Sequence, residues 1–67
     1  MIPLYHWSFV VRDGLGTYLW GVTAATLDEA QEVARADCGS HVGLNQVGCK
    51  RVYGAYREAE EGPQGGT

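Results

Sequence analysis

The chain has 67 residues, 45% of them hydrophobic and 19% charged, with 10 Gly, 2 Pro, 2 Cys and a formal net charge of −3. That length makes one domain at most. The apolar content is too high for a disordered chain, the cysteines are too few for a disulfide scaffold, and no apolar run nears the ~18 residues of a membrane span. About 60 residues can hardly build both a core and a deep pocket, so an enzyme is not expected.

Met1 to Trp7 has neither a basic nor an apolar leader segment, so no signal peptide is expected. With only two cysteines, a reducing cytoplasm is the expected compartment. Tyr5 to Arg12 alternates: Tyr5, Trp7, Phe9 and Val11 share one face, and His6, Ser8, Val10 and Arg12 share the other. Period two with aromatic and β-branched residues predicts a strand. Asp13-Gly14-Leu15-Gly16 predicts a hairpin loop. Thr17 to Ala24 is the return strand, and Gly21 within it marks a bulge or a close approach of another backbone.

Thr26-Leu27-Asp28-Glu29 is a capping box. The Thr26 hydroxyl should accept from the N–H three residues on, and Glu29 should reach back to the Thr26 N–H. Asp28 and Glu29 also suit the positive end of a helix dipole. The helix runs on through Asp37, and Gly39 is its stop. Leu27, Ala30, Val33, Ala34 and Cys38 form its apolar stripe. Ser40 to Gln46 reads as a loop. Val47 to Arg57 reads as a third strand with poorly sorted faces, as suits an edge.

The order β-β-α-β predicts an α+β domain over 1–57, with one helix on one face of a three-stranded, mainly antiparallel sheet. The third strand could pair with the second through a right-handed crossover, but the first strand is the most hydrophobic and belongs in the centre, which favours the strand order 2-1-3. Residues 58–67 read as a flexible tail. They hold Glu58, Glu60 and Glu61 without a Lys or Arg, whereas 1–57 balance five cations against five acids. The tail therefore supplies the whole net charge, and −3 says little about partners.

Seven aromatics on three short strands exceed what one helix of small residues can cover. Association is the usual remedy, through the uncovered face or a strand edge, so a homodimer is expected. Trp7, Trp20, Tyr53 and Tyr56 with Arg51 and Arg57 are the candidate protein-binding surface. Lys50, Arg51 and Arg57, interleaved with tyrosines, are the nucleic-acid alternative. A third reading places a metal or redox centre at Cys38, His41 and Cys49, with His6 as a fourth ligand. It is weak, because Cys49 has no second cysteine at knuckle spacing, and Cys38 is most simply a core residue. The two thiols stand open as free, paired or metal-bound.

The hairpin followed by Thr26-Leu27-Asp28-Glu29-Ala30 resembles the start of HicB-type antitoxins and the arm-binding modules of tyrosine recombinases. The chain lacks the Pro and Gly-Cys segment of the first and the basic sheet face of the second, and it is assigned to neither. The resemblance implies a small regulator from a mobile element. No Ser or Cys nucleophile has a base beside it, and no phosphate-binding glycine loop opens a helix. The expectation is a non-enzymatic regulator or inhibitor without a cofactor, bound to another macromolecule and not to a membrane.

Overall fold

A computed structural model describes residues 1–58. The elements are β1 (Ile2–Asp13), β2 (Gly16–Ala24), α1 (Leu27–Cys38) and β3 (Gly43–Arg57). The strands form one antiparallel sheet in the order β2-β1-β3. This is the α+β arrangement that the alternation and the capping box imply. Apart from Glu58, the expected tail lies outside the described residues. Among them, no helix is long and apolar enough to cross a membrane.

The hairpin is tighter and longer than its alternation suggests. β1 begins at Ile2, and Asp13 pairs directly with Gly16, leaving Gly14-Leu15 as the turn. Asp13 Oδ1 closes it by accepting from the N–H groups of Leu15 (2.8 Å) and Gly16 (3.0 Å). A short carboxylate side chain here does work that a sequence reading gives to the glycines. Gly21 is neither a bulge nor a close backbone approach: the register is unbroken there, and it is the His6 side chain that a Cβ would meet, 2.7 Å away at Nε2.

At the helix start, Thr26 Oγ1 accepts from the Glu29 N–H at 3.2 Å, as expected. The reciprocal bond differs. Glu29 Oε1 accepts from the Ala25 N–H at 2.9 Å, one residue before the expected donor. Arg57 bonds both carboxylate oxygens, and the carboxylate sits where Ala25 presents its N–H. At the other end, the Gly39 N–H donates to the Arg35 carbonyl at 3.1 Å.

The core lies between α1 and the β1–β2 hairpin. Phe9, Val11, Ala24, Ala30 and Val42 are buried together, with Trp7, Trp20, Val22, Leu27, Cys38 and Leu44 packed around them. Alanines at 30 and 34 let the helix lie close on large sheet residues. Val33, expected in the inward stripe, is instead 36% exposed.

β3 is the larger correction. It starts at Gly43, so the loop expected over Ser40–Gln46 contracts to residues 39–42. Buried Val42 and core-facing Leu44 draw it in, and Arg35 Nη1 donates to the Val42 carbonyl at 3.2 Å. The strand's poor sorting has a geometric cause. Phe9 pairs with Gln46 and Ser8 with Gly48, so Val47 is one residue too many. Further on, Leu4 alone faces Val52 to Ala55, because Tyr5 pairs with Arg51 and Pro3 with Tyr56. Each bulge resets the alternation. By register, Tyr5, Trp7, Phe9, Val11, Tyr18, Trp20, Cys49 and Arg51 share the helix side, while His6, Val10, Leu19 and Lys50 share the open side.

A candidate interaction surface on the β1–β3 ribbon

β2 ends at Ala24, opposite Tyr5, but β3 pairs with β1 as far as Ile2 and Arg57. Beyond Tyr5 the sheet is therefore a two-stranded ribbon. The second bulge lies on it, and Gly54 takes a φ of +86° there, a conformation that costs an L-residue ~1–2 kcal/mol. The bulge places Tyr53 85% exposed and Tyr56 45% exposed. Between them lies the half-buried Arg51.

The Arg51 guanidinium carbon is 5.3 Å from the Tyr53 ring centroid, 5.8 Å from that of Tyr56 and 6.0 Å from that of Tyr5. Its Nη2 donates to Tyr56 Oη at 3.3 Å. Among the described residues its Nε is buried without a hydrogen-bond acceptor, and the aromatic faces supply the negative charge density that an acceptor would. Each cation–π contact at such a site is worth ~0.5–1 kcal/mol. Tyr5 extends the patch to Trp7, whose ring lies 6.0 Å away.

The other candidate residues are placed differently. The Trp7 indole N–H donates to the Ala24 carbonyl at 2.9 Å, tying β1 to the end of β2. Trp20 packs on the core, 6.2 Å from Phe9, and is remote from the Arg51 cluster by register. Arg57 is bonded to Glu29. That contact and the Ala25 N–H hold the Glu29 carboxyl down at about 2, against an ordinary 4.5. Lys50 lies on the open side opposite His6, whereas Arg51 lies on the helix side. The three cations of the nucleic-acid alternative thus share no face.

The soft ligands are also separated. Cys38 lies beside Tyr18 on β2, Cys49 is exposed on β3, and His41 is exposed in the connecting loop. His6 lies over Gly21 on the opposite side of the sheet. Cys38 and Cys49 are both free thiols. Among the described residues, no three His, Cys, Asp or Glu gather to hold a metal ion. A hydrogen bond to Cys38, then burial and the charges of Cys38 and Asp13, push the Tyr18 phenol up to about 12.

Two participants were not singled out by sequence. Tyr5 joins the cluster through its register with Arg51, which no local pattern encodes. Glu29 reads as a helix cap, but it also anchors the end of β3. A comparison with protein-family models, with curated proteins and with solved structures finds no match to the chain.

Proposed function

We propose that the protein is a non-enzymatic interaction module, a small regulator or inhibitor that binds another protein through the ribbon patch of Arg51, Tyr5, Tyr53 and Tyr56. The observation that carries this reading is the exposure of Tyr53, 85%, beside a cation already held in place by three rings. Tyrosine and arginine dominate interface hot spots, because they offer large contact area and directed polar groups at little entropic cost. A solitary exposed tyrosine would be unremarkable on any surface. Three that pre-order an arginine form a patch whose binding geometry exists before a partner arrives. The free thiols support a reducing, cytoplasmic setting for that partner.

A photo-crosslinking amino acid at position 53, used in the native host, identifies the partner by mass spectrometry. The purified pair is then titrated. Arg51→Ala and Tyr53→Ala should each weaken binding at least ~10-fold, with circular dichroism unchanged. A partner whose affinity ignores both substitutions would overturn the proposal. So would a salt-sensitive affinity for DNA or RNA that falls with Lys50→Ala as steeply as with Arg51→Ala.

A further inference from the structure

We infer that the chain forms a symmetric dimer in which the β2 strands of two copies pair antiparallel, giving one continuous six-stranded sheet. This goes beyond the proposed partner patch and uses none of its residues. The two outer strands of the sheet are β2 and β3. An open strand edge offers unpaired N–H and C=O groups, and proteins blunt such edges with charges, prolines or bulges. β3 has such devices: two breaks in register, Gly54 at positive φ, and Lys50, Arg51 and Arg57. β2 has none. Its nine residues, Gly16–Ala24, contain no charge and no proline, and they pair with β1 in unbroken register. Alternate residues of such a strand turn their backbone groups outward.

The occupant is a second copy because α1 fits beside its own image. α1 packs on both β2 and β1. Strands in a sheet are ~4.8 Å apart. A two-fold axis between two β2 strands therefore leaves a helix seated over the β1–β2 groove ~5 Å from the axis, and the two helices ~10 Å apart. That is the separation at which helices pack. Sheet twist of ~20–25° per strand carries helices two strands apart to a crossing near −45°, within the commonest packing class.

The flank of α1 that would meet its image is also identified. Arg35 reaches Val42, the residue just before β3, so its flank faces β3. Val33 precedes it by two residues, roughly 200° around the helix, and so faces the outer side of β2. It is the half-exposed valine, 36% accessible, that the core does not use. α1, Leu27–Cys38, runs back along β2 to Cys38, which lies beside Tyr18. The middle of the helix, at Val33, is therefore level with the middle of the strand. Full overlap of two nine-residue strands puts the axis at Trp20. It sets Thr17 against Thr23 of the partner subunit and Leu19 against Gly21 of the partner subunit, with no like charges opposed. The two Val33 side chains then meet near the axis.

The test is the mass of the full chain in solution by sedimentation at micromolar to millimolar concentration. The result expected is twice the 7.3 kDa of one chain. Leu19→Lys puts like charges on the paired edges, and Val33→Asp puts them between the helices. Both positions are exposed in the monomer, so each variant should keep its circular dichroism and sediment as one chain. Arg51→Ala should leave the dimer intact, which separates this inference from the partner patch. A wild-type chain that stays monomeric throughout would overturn it, as would a dimer that survives both Leu19→Lys and Val33→Asp.

Discussion

The Glu29 carboxylate joins the β2–α1 link to the end of β3, and its removal should be felt in a defined pH window. Its N–H is capped by Thr26, its Oε1 accepts from Ala25, and Arg57 bonds both of its oxygens. The two side chains of that pair are 41% and 33% exposed, so solvent screening limits the pair to ~0.5–1 kcal/mol. The bond to the Ala25 N–H adds ~1 kcal/mol. Glu29→Gln keeps an acceptor for Ala25 but loses the charge, and should cost ~0.5–1 kcal/mol. Glu29→Ala loses both and should cost ~1.5–2 kcal/mol. In a domain this small, ~1 kcal/mol moves the melting temperature by ~4–8 °C.

The sign of the pH dependence follows from the depressed carboxyl. Its folded value is about 2, against 4.5 when free. The unfolded chain binds the proton more readily, so the contribution is complete above 4.5. It shrinks as pH falls and is gone below about 2. Melting curves of wild type, Glu29→Gln and Glu29→Ala, taken at one protein concentration from neutral to strongly acid pH, should show a Gln gap that closes on acidification. Arg57→Gln in a double-mutant cycle should recover a coupling of ~0.5–1 kcal/mol with Glu29. A Gln gap that is absent at neutral pH, or that persists unchanged in acid, would refute the assignment.

Substitutions at three other positions probe separate links. Cys38→Ala should bring the Tyr18 phenol down from about 12 toward its ordinary 10.0, followed by nuclear magnetic resonance of the Tyr18 ring; no movement would mean that Cys38 is not the cause. Gly54→Ala should cost ~1–2 kcal/mol, because alanine resists the positive φ there, and Gly54→Asn should cost less. A rise in melting temperature with alanine would show that this conformation is not maintained. Trp7→Phe keeps most of the ring and leaves the Ala24 carbonyl without its donor, which should cost ~1 kcal/mol in urea denaturation.

The parts of this fold that are legible in the sequence are those encoded over a few residues. Tyr5, Trp7, Phe9 and Val11 alternate within one strand, and Thr26 and Glu29 are three residues apart on one helix start. Their physics is local, and both elements contain the residues the pattern assigns them, with β1 starting earlier, at Ile2. β3 is different. Its bulges at Val47 and at Val52–Ala55 are set by pairing with β1, more than thirty residues away in the chain, and each one inverts the alternation that a reader would extend. The candidate surface divides the same way. Arg51, Tyr53 and Tyr56 stand out as a basic-aromatic segment, but Tyr5 enters through cross-strand register alone. The Trp7 and Trp20 positions are equally conspicuous in the sequence, yet α1 packs on their side of the sheet and half-buries both.

Aromatic surplus is a sound argument for association, but it does not say where. The open side of the sheet carries His6, Ser8, Arg12, Thr17, Thr23, Asn45 and Lys50 by register, with Leu19 standing out 75% exposed. Stacking a second sheet there would bury those polar groups and cations without partners, at a cost that one leucine and Val10 could not offset. Pairing along β2 has the opposite balance. It satisfies backbone groups with their own kind, buries no charge, and brings half-exposed Tyr18 and Val33 toward apolar neighbours. The charges that a sheet edge needs for protection were all placed on β3. An uncharged, unbulged β2 beside so guarded a β3 is what a chain that extends its sheet from one side would require.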